Sequence, residues 1–486
     1  MRRFLLLPFL IFTYSAFSQS ASKLLSRRID SLLQQYAALD QFSGTVLVAR
    51  KGEVILAKGY GLANREWKIP AKPGTRFRIA SLTKQFTGML IMQLKQANKL
   101  DLQASITKYL PWYPPEIGDR VTIHQLLTHT SGIPNFTNRS NFFSEVSHRD
   151  YSTRSFVEQF CRDSLEFEPG TRFNYSNSGY YILGAIIEAI THKTYGEVLK
   201  ERILDVAGMS NTGIDDPREI IPDRAEGYEL PYGKWENSRF INSSATIGAA
   251  GDMYSTAEDL HRWDRALYGD KLLSDENKRI YFTPYLNGYA YGLGVVKIVI
   301  GNEKDSATLM AHTGGINGFR TKILRIIETG EVIIALSNTS DDHSVVDISQ
   351  ITLNILLQLH RQSIPRPVPH IITETGKRII NGTAKEGIEF YKRNMGSSTF
   401  DFKDGEKRLN ELGRYLSNMG RQKDGIAVLK FNTEQFPTSS YAFDSYADEL
   451  EEDNQVADAI VNYRKAVSLD KANEHAGNAL KRLESK

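Results

Sequence analysis

The chain has a single cysteine, Cys161, in 486 residues. No intramolecular disulfide can form, whatever the redox compartment. Beside Phe160, that thiol reads as a small apolar filler rather than a nucleophile. An excess of one charge is also lacking, since 60 Lys and Arg against 57 Asp and Glu leave a formal net charge of +3. There is no basic tract or stripe, so the electrostatic footprint of a nucleic-acid binder is missing. After the first dozen residues no apolar run is long enough to cross a bilayer. The histidines have no short ligand spacing either. His124, His129 and His312 are the obvious candidates, and none completes a zinc pattern. No metal and no cofactor is expected.

What is present is ordinary globular material, 41% hydrophobic and 24% charged. Arg2 and Arg3 precede an apolar run from Phe4 to Phe12, and Ala16 and Ser18 are small residues just before Gln19. This is the pattern of a cleaved secretory signal over residues 1–18, and it predicts a periplasmic or secreted protein with no stable membrane span. Gly44 to Arg50, a Lys51-Gly52 turn and Glu53 to Lys58 predict a strand–turn–strand unit. Residues 81–97 carry apolar side chains on most faces, as a helix buried in a large core does. A helical, loop-rich middle follows to about residue 275. Strand signals then return at Tyr291 to Ile300, Ala307 to His312, Phe319 to Ile327 and Val332 to Leu336, followed by a helix over His343 to His360. The simplest closure is an antiparallel sheet, made of N- and C-terminal strands, against a helical lobe.

Pro365, Pro367 and Pro369 mark an extended linker. Beyond it a 34-residue period appears. Gly413, Gly425 and Asn432 align with Ala447, Ala459 and Ala466, so small residues recur where paired helices pack closely. That is the tetratricopeptide spacing, with a plain helical bundle as the alternative. Residues 373–395 fit one more helix pair and 472–483 a closing helix.

Three short patterns carry chemistry. S-x-x-K occurs at Ser20, Ser81, Ser105 and Ser468, but only Ser81 opens a long apolar helix. Lys84 then shares a helix face with Ser81. Burial lowers a lysine pKa, and a neutral amine can take the serine proton. The same pair also fits a capping serine with a snorkelling lysine. Tyr175-Ser176-Asn177 lies in turn-rich sequence suited to a cleft loop, although Tyr285-Leu286-Asn287 shares its spacing. His312-Thr313-Gly314-Gly315 ends a predicted strand, whose edge can pair with a peptide-like substrate. A backbone N–H there, with that of Ser81, would make an oxyanion hole.

Taken together and in this order, the patterns resemble the penicillin-recognising serine hydrolases of the class C β-lactamase and DD-peptidase type. Leu126 to Gly132, Gly248 to Met253 and Phe42 to Val46 resemble further segments of that family. The resemblance covers roughly residues 25–360 and implies an α/β (α+β) fold for a domain over 19–362, while the prolines set a linker at 363–372 and the 34-residue period tetratricopeptide-like helices at 373–486. It implies Ser81 as nucleophile and Lys84 with Tyr175 as the proton-transfer pair. Asn177, His312, Thr313 and Gly314 would bind substrate, and the Ser81 and Gly315 amides would hold the oxyanion. Histidine stands where class C β-lactamases have lysine, which favours a D-amino-acid peptidase, a DD-carboxypeptidase-like enzyme or an esterase over a true β-lactamase. A class C-like β-lactamase and a catalytically silent scaffold are the competing readings. The expected partners are a small-molecule or peptide substrate and, for the repeats, a protein.

Overall fold

The computed structural model describes residues 8–300, 306–340 and 347–485, with side chains from Ser22 onward. Residues 1–7 of the expected signal segment lie outside the described residues. The chain forms two compact units. The first comprises Met1–Glu229, Asn237–Ser340 and Val346–Pro365, and the second Leu230–Glu236, Asp341–Val345 and Arg366–Lys486.

The first unit is built on a six-stranded antiparallel sheet. Its strands are β1 (Gly44–Arg50), β2 (Glu53–Tyr60), β3 (Gly294–Ile298), β4 (Ala307–Ile316), β5 (Phe319–Ile326) and β6 (Glu331–Ser337). Their spatial order is β3-β4-β5-β6-β1-β2, so the N-terminal hairpin joins the C-terminal meander through β1 and β6. The register sets Val46 opposite Ala335 and Val48 opposite Ile333. Both β1 and β6 are buried almost throughout, as β-branched and aliphatic strands covered on two faces should be.

Each face is covered by helices. Helices α1 (Pro8–Ala38), α2 (Thr83–Gln96), α3 (Asn177–Thr191) and α4 (Ile348–Leu359) matter most. Val46, Val48, Ile333 and Ala335 pack under Ile29 and Leu33 of α1 and Ile351 and Ile355 of α4. Leu47, Ile334 and Leu336 turn the other way, into the large core around Phe86, Leu90 and Met92 of α2. Helix α2 starts two residues later than the sequence pattern predicts, because Ala80–Leu82 forms a tighter 3-10 turn. Strand β3 is shorter than expected, since Tyr291 and Gly292 remain outside it.

The second unit is helical. Its helices are α5 (Ile371–Asn381), α6 (Ala384–Asn394), α7 (Gly405–Asn418), α8 (Gln422–Gln435), α9 (Ser440–Glu452), α10 (Val456–Leu469) and α11 (Glu474–Glu484). Helices α8 and α10 start 34 residues apart. A Cβ at Gly413 would approach Leu429 to 2.5 Å, which shows how closely α7 and α8 pack. Tyr232 is buried in this unit with Ile371, Ile372 and Leu412. No helix among the described residues is long and apolar enough to cross a membrane.

Candidate active site

Ser81 stands at a bend that is clamped from both sides. Phe77–Arg78 pairs with Met253–Ser255, and Ile79 N–H donates to the Met253 carbonyl at 2.9 Å. The Ile79 carbonyl accepts from Thr321 Oγ1 on β5, also at 2.9 Å. Arg78 is anchored by the buried Asp215 at 2.6 Å. Between these ties Ala80 adopts φ 49°, a conformation that costs an L-residue energy. The turn places Ser81 at the head of α2, where free N–H groups favour negative charge.

Lys84 is fully buried, and its Nζ has three acceptors. These are Ser81 Oγ at 3.1 Å, Asn177 Oδ1 at 2.8 Å and the Ala250 carbonyl at 2.7 Å. Burial holds its pKa well below the ordinary lysine value. Nζ also lies 4.9 Å from the Tyr175 ring centroid and 5.5 Å from that of Tyr180, contacts that attract the protonated form. No carboxylate pairs with this amine among the described residues.

Tyr175 reaches the site from the loop before α3. Burial raises its phenol pKa, an effect that the neighbouring Ser81 hydroxyl partly offsets. His129 supports the loop, with its ring centroid 4.2 Å from that of Tyr175 and its Nδ1 accepting from Ser176 N–H at 3.1 Å. Asn177 begins α3. Its Nδ2 donates to Thr137 at 3.2 Å and its N–H to Asn135 Oδ1 at 3.1 Å, so the amide is fixed before it meets Lys84.

Strand β4 forms the facing wall. A Cβ at Gly314 would lie 2.2 Å from the Ile79 carbonyl, so only glycine lets the strand approach the nucleophile turn. Gly315 stands opposite Arg320 in the register and is open to the site. Thr313 is exposed, while His312 is buried and committed. His312 Nδ1–H donates to the Thr313 carbonyl at 2.7 Å, and its Nε2 accepts from Tyr289 Oη–H at 2.9 Å. Burial, aided by the charge of Lys84, pushes its pKa down to about 3. The imidazole is therefore neutral and has no free nitrogen.

A cavity of about 390 Å³ opens at Ser81. Ser81, Asn177 and Gly315 line it, with Ile241, Ile247 and Ile316 as apolar wall and Glu229 and Arg320 as charged groups. Ser81, Lys84, Tyr175, Asn177 and the Gly314-Gly315 strand thus converge. His312 and Thr313 are not among the residues lining this cavity.

Sequence reasoning passed over Tyr289, Arg320 and the specific parts played by His129 and Ala250. The latter two fall in the segments Leu126 to Gly132 and Gly248 to Met253, which the family resemblance had singled out. A backbone carbonyl such as that of Ala250 leaves no side-chain signal, and nothing in the sequence distinguishes Tyr289 from its neighbours Tyr285 and Tyr291. One group with metal-ligand chemistry occurs among the described residues, Asp444, Asp448 and His475 in the helical unit. Arg414 at 2.8 Å and Tyr463 at 2.7 Å already engage Asp448, so the group reads as a charge network tying α7, α9, α10 and α11 together.

This geometry, a serine beside a buried lysine, fits a serine hydrolase. The sequence model of the Beta-lactamase family matches residues 29–353, and the chain belongs to that family. It is 30% identical to penicillin-binding protein 4* of Bacillus subtilis over 335 residues, which cover 65% of this chain and 72% of that one. Among solved structures, the octameric penicillin-binding protein homologue from Pyrococcus abyssi superposes with a TM-score of 0.60 at 27% identity, over 69% of this chain and 77% of its own. The D-amino acid amidase from Ochrobactrum anthropi does so with a TM-score of 0.59 at 25% identity, over 69% of this chain and 98% of its own.

Proposed function

We propose that the protein is an exported hydrolase that cleaves peptide-like amides, or esters, through a Ser81 acyl-enzyme. The observation that carries this reading is the buried Lys84 amine, 3.1 Å from Ser81 Oγ and without a carboxylate partner among the described residues. Neutral Lys84 accepts the Ser81 proton as Oγ bonds to the substrate carbonyl carbon. The carbonyl oxygen becomes an oxyanion, held by the N–H groups of Ser81 and Gly315. The C–N or C–O bond then breaks, and the leaving group takes a proton from the Lys84–Tyr175 pair. Water, deprotonated by the same pair, attacks the acyl carbon and frees Ser81. Asn177 orients both Lys84 and the substrate carbonyl. Gly314 and Thr313 shape the edge to which a peptide would pair.

The family resemblance sets His312 where a substrate carboxylate or leaving group is met. Because the ring is neutral with both nitrogens occupied, we assign it instead to holding β4 and Tyr289 in place. Arg320 is the cationic side chain that lines the cavity, and we assign it to anionic substrate groups. The relatives named as penicillin-binding proteins and a D-amino acid amidase support a D-amino-acid or DD-carboxypeptidase-like specificity. We further propose that residues 1–18 are an export signal and that the helical unit is a tetratricopeptide-like module for a protein partner.

The test is incubation with a fluorescent penicillin, p-nitrophenyl esters and D-alanyl peptides, beside Ser81→Ala and Lys84→Ala. The parent should be labelled or turn substrate over. Ser81→Ala should do neither, and Lys84→Ala should lose about 10²–10⁴-fold in acylation rate. Equal activity in the parent and Ser81→Ala removes the serine from the mechanism.

A further inference from the structure

A second hollow, of about 400 Å³, adjoins the catalytic cavity. Two large apolar side chains line it in full view of solvent, Trp67 at 80% and Phe240 at 57% exposure. Exposed aromatic rings facing one concavity are costly to leave bare. Trp67 is presented on a fixed loop. The short antiparallel pair Leu62–Asn64 and Ile69–Pro70 closes it, and Trp67 N–H donates to Asn64 Oδ1 at 2.7 Å. The Tyr228 hydroxyl accepts from Arg65 N–H at 2.7 Å and donates to Glu66. The backbone that carries the ring is therefore fixed rather than a loose loop.

The rest of the wall is polar but close to charge-balanced. Arg78 and Arg224 both line it, yet both are held by the buried Asp215, at 2.6 Å and 2.8 Å. Arg239 is offset by Glu66 and Glu226. A phosphate or carboxylate would find two of the three guanidiniums already engaged. Amide and hydroxyl groups of Asn64, Asn237 and Ser238 complete the wall. Flat apolar rings bordered by amides, hydroxyls and balanced charges suit a ligand with apolar C–H faces and a rim of hydroxyls.

The walls of the hollow and of the cavity at Ser81 are next to each other along the chain at three places. Phe240 lines one and Ile241 the other, Gly227 one and Glu229 the other, Phe319 one and Asn317 the other. Consecutive Cα atoms are about 3.8 Å apart, so the two spaces lie side by side at these points. We propose that the hollow between Trp67 and Phe240 is a saccharide subsite, which stacks a neutral sugar ring and directs a sugar-bearing substrate to Ser81. Only the last clause rests on the hydrolase reading.

The saccharide probe is chitotetraose, titrated by calorimetry into the full chain carrying Ser81→Ala. Heat of binding should saturate below about 10 mM and be lost in Trp67→Ala and in Phe240→Ala. For catalysis, a D-alanyl peptide bearing an N-acetylhexosamine is compared with the same peptide lacking it. The parent should show a KM about five- to tenfold lower for the sugar-bearing peptide, and Trp67→Ala should erase that difference. Hydrolysis of p-nitrophenyl acetate should be equal in the parent and Trp67→Ala, which also shows that the variant is folded. Absence of saccharide binding by the parent chain, or binding that survives both substitutions, overturns the subsite. A parent that hydrolyses nothing overturns the hydrolase reading instead, with the calorimetric result still standing.

Discussion

A histidine midway along β4 looks from the family pattern like a substrate contact, yet both of its ring nitrogens are already bonded. His312 spends Nδ1–H on the Thr313 carbonyl and Nε2 on Tyr289, in a place where burial strongly disfavours the imidazolium. That has a measurable effect on folding. Above the ordinary value of 6.5 the ring is neutral in both the folded and unfolded chain and contributes no pH slope. Between 6.5 and about 3 the unfolded chain binds a proton that the folded chain refuses. Stability is therefore present above 6.5 and lost as pH falls toward the folded value, by at most about 1.4 kcal/mol per pH unit. Denaturant titrations of the parent and His312→Gln across this range should show a shallower slope in the variant. Equal slopes would mean that the ring is not held neutral. Lys84 belongs to the same environment, since its amine, once protonated, further disfavours the His312 imidazolium.

At the scale of elements, the nucleophile turn and β4 meet with no room to spare. The Gly314→Ala methyl would run into the Ile79 carbonyl, and neither backbone can yield without moving Ser81. We expect Gly314→Ala to cost about 1–3 kcal/mol in chemical denaturation and most of the acylation rate. At Gly315 the nearest obstacle is the flexible end of Arg320 at 3.2 Å, so Gly315→Ala should unfold close to the parent midpoint. Equal destabilisation by both would refute this account of the contact. The strands themselves were readable in the sequence, because runs such as Val332 to Leu336 are β-branched and aliphatic, and the central strands β1 and β6 are covered on both faces. The apolar helix after Ser81 was readable for the same reason. Less visible was the covering of the far face by α1, whose Ile29, Leu33 and Tyr36 sit among polar residues next to a leader-like segment. Within the site, Ser81, Lys84, Tyr175 and Asn177 were found from spacing and family resemblance together. His129 stood out only as a metal ligand without a site and as part of a segment, since its use depends on φ 57° and on ring contacts that spacing does not encode. Tyr289 stayed hidden because its value lies in a partner 23 residues away.

For the whole molecule, the two units do not divide at a single point in the chain. Leu230–Glu236 belongs to the helical unit, and the Tyr232 ring fills the space beside Gly376, where a Cβ would come within 2.6 Å of it. Tyr232→Ala should therefore leave a cavity in that unit and destabilise it by about 3–5 kcal/mol, by analogy with other large aromatic truncations. Proteolysis of α5 to α8 should accelerate while turnover at Ser81 stays near the parent level. Unchanged protection would show that the ring is not part of that core. The sheet has a comparable long-range dependence. Arg50 at the end of β1 bonds Glu331 at the start of β6, 281 residues later. At a synthesis rate of about 5–20 residues per second, the first hairpin waits roughly 15–55 s with an open edge before its neighbour exists. Over that interval an unpaired apolar strand is exposed to wrong partners. The final strand to arrive thus closes the sheet, and for this chain the vulnerable moment is the time before closure.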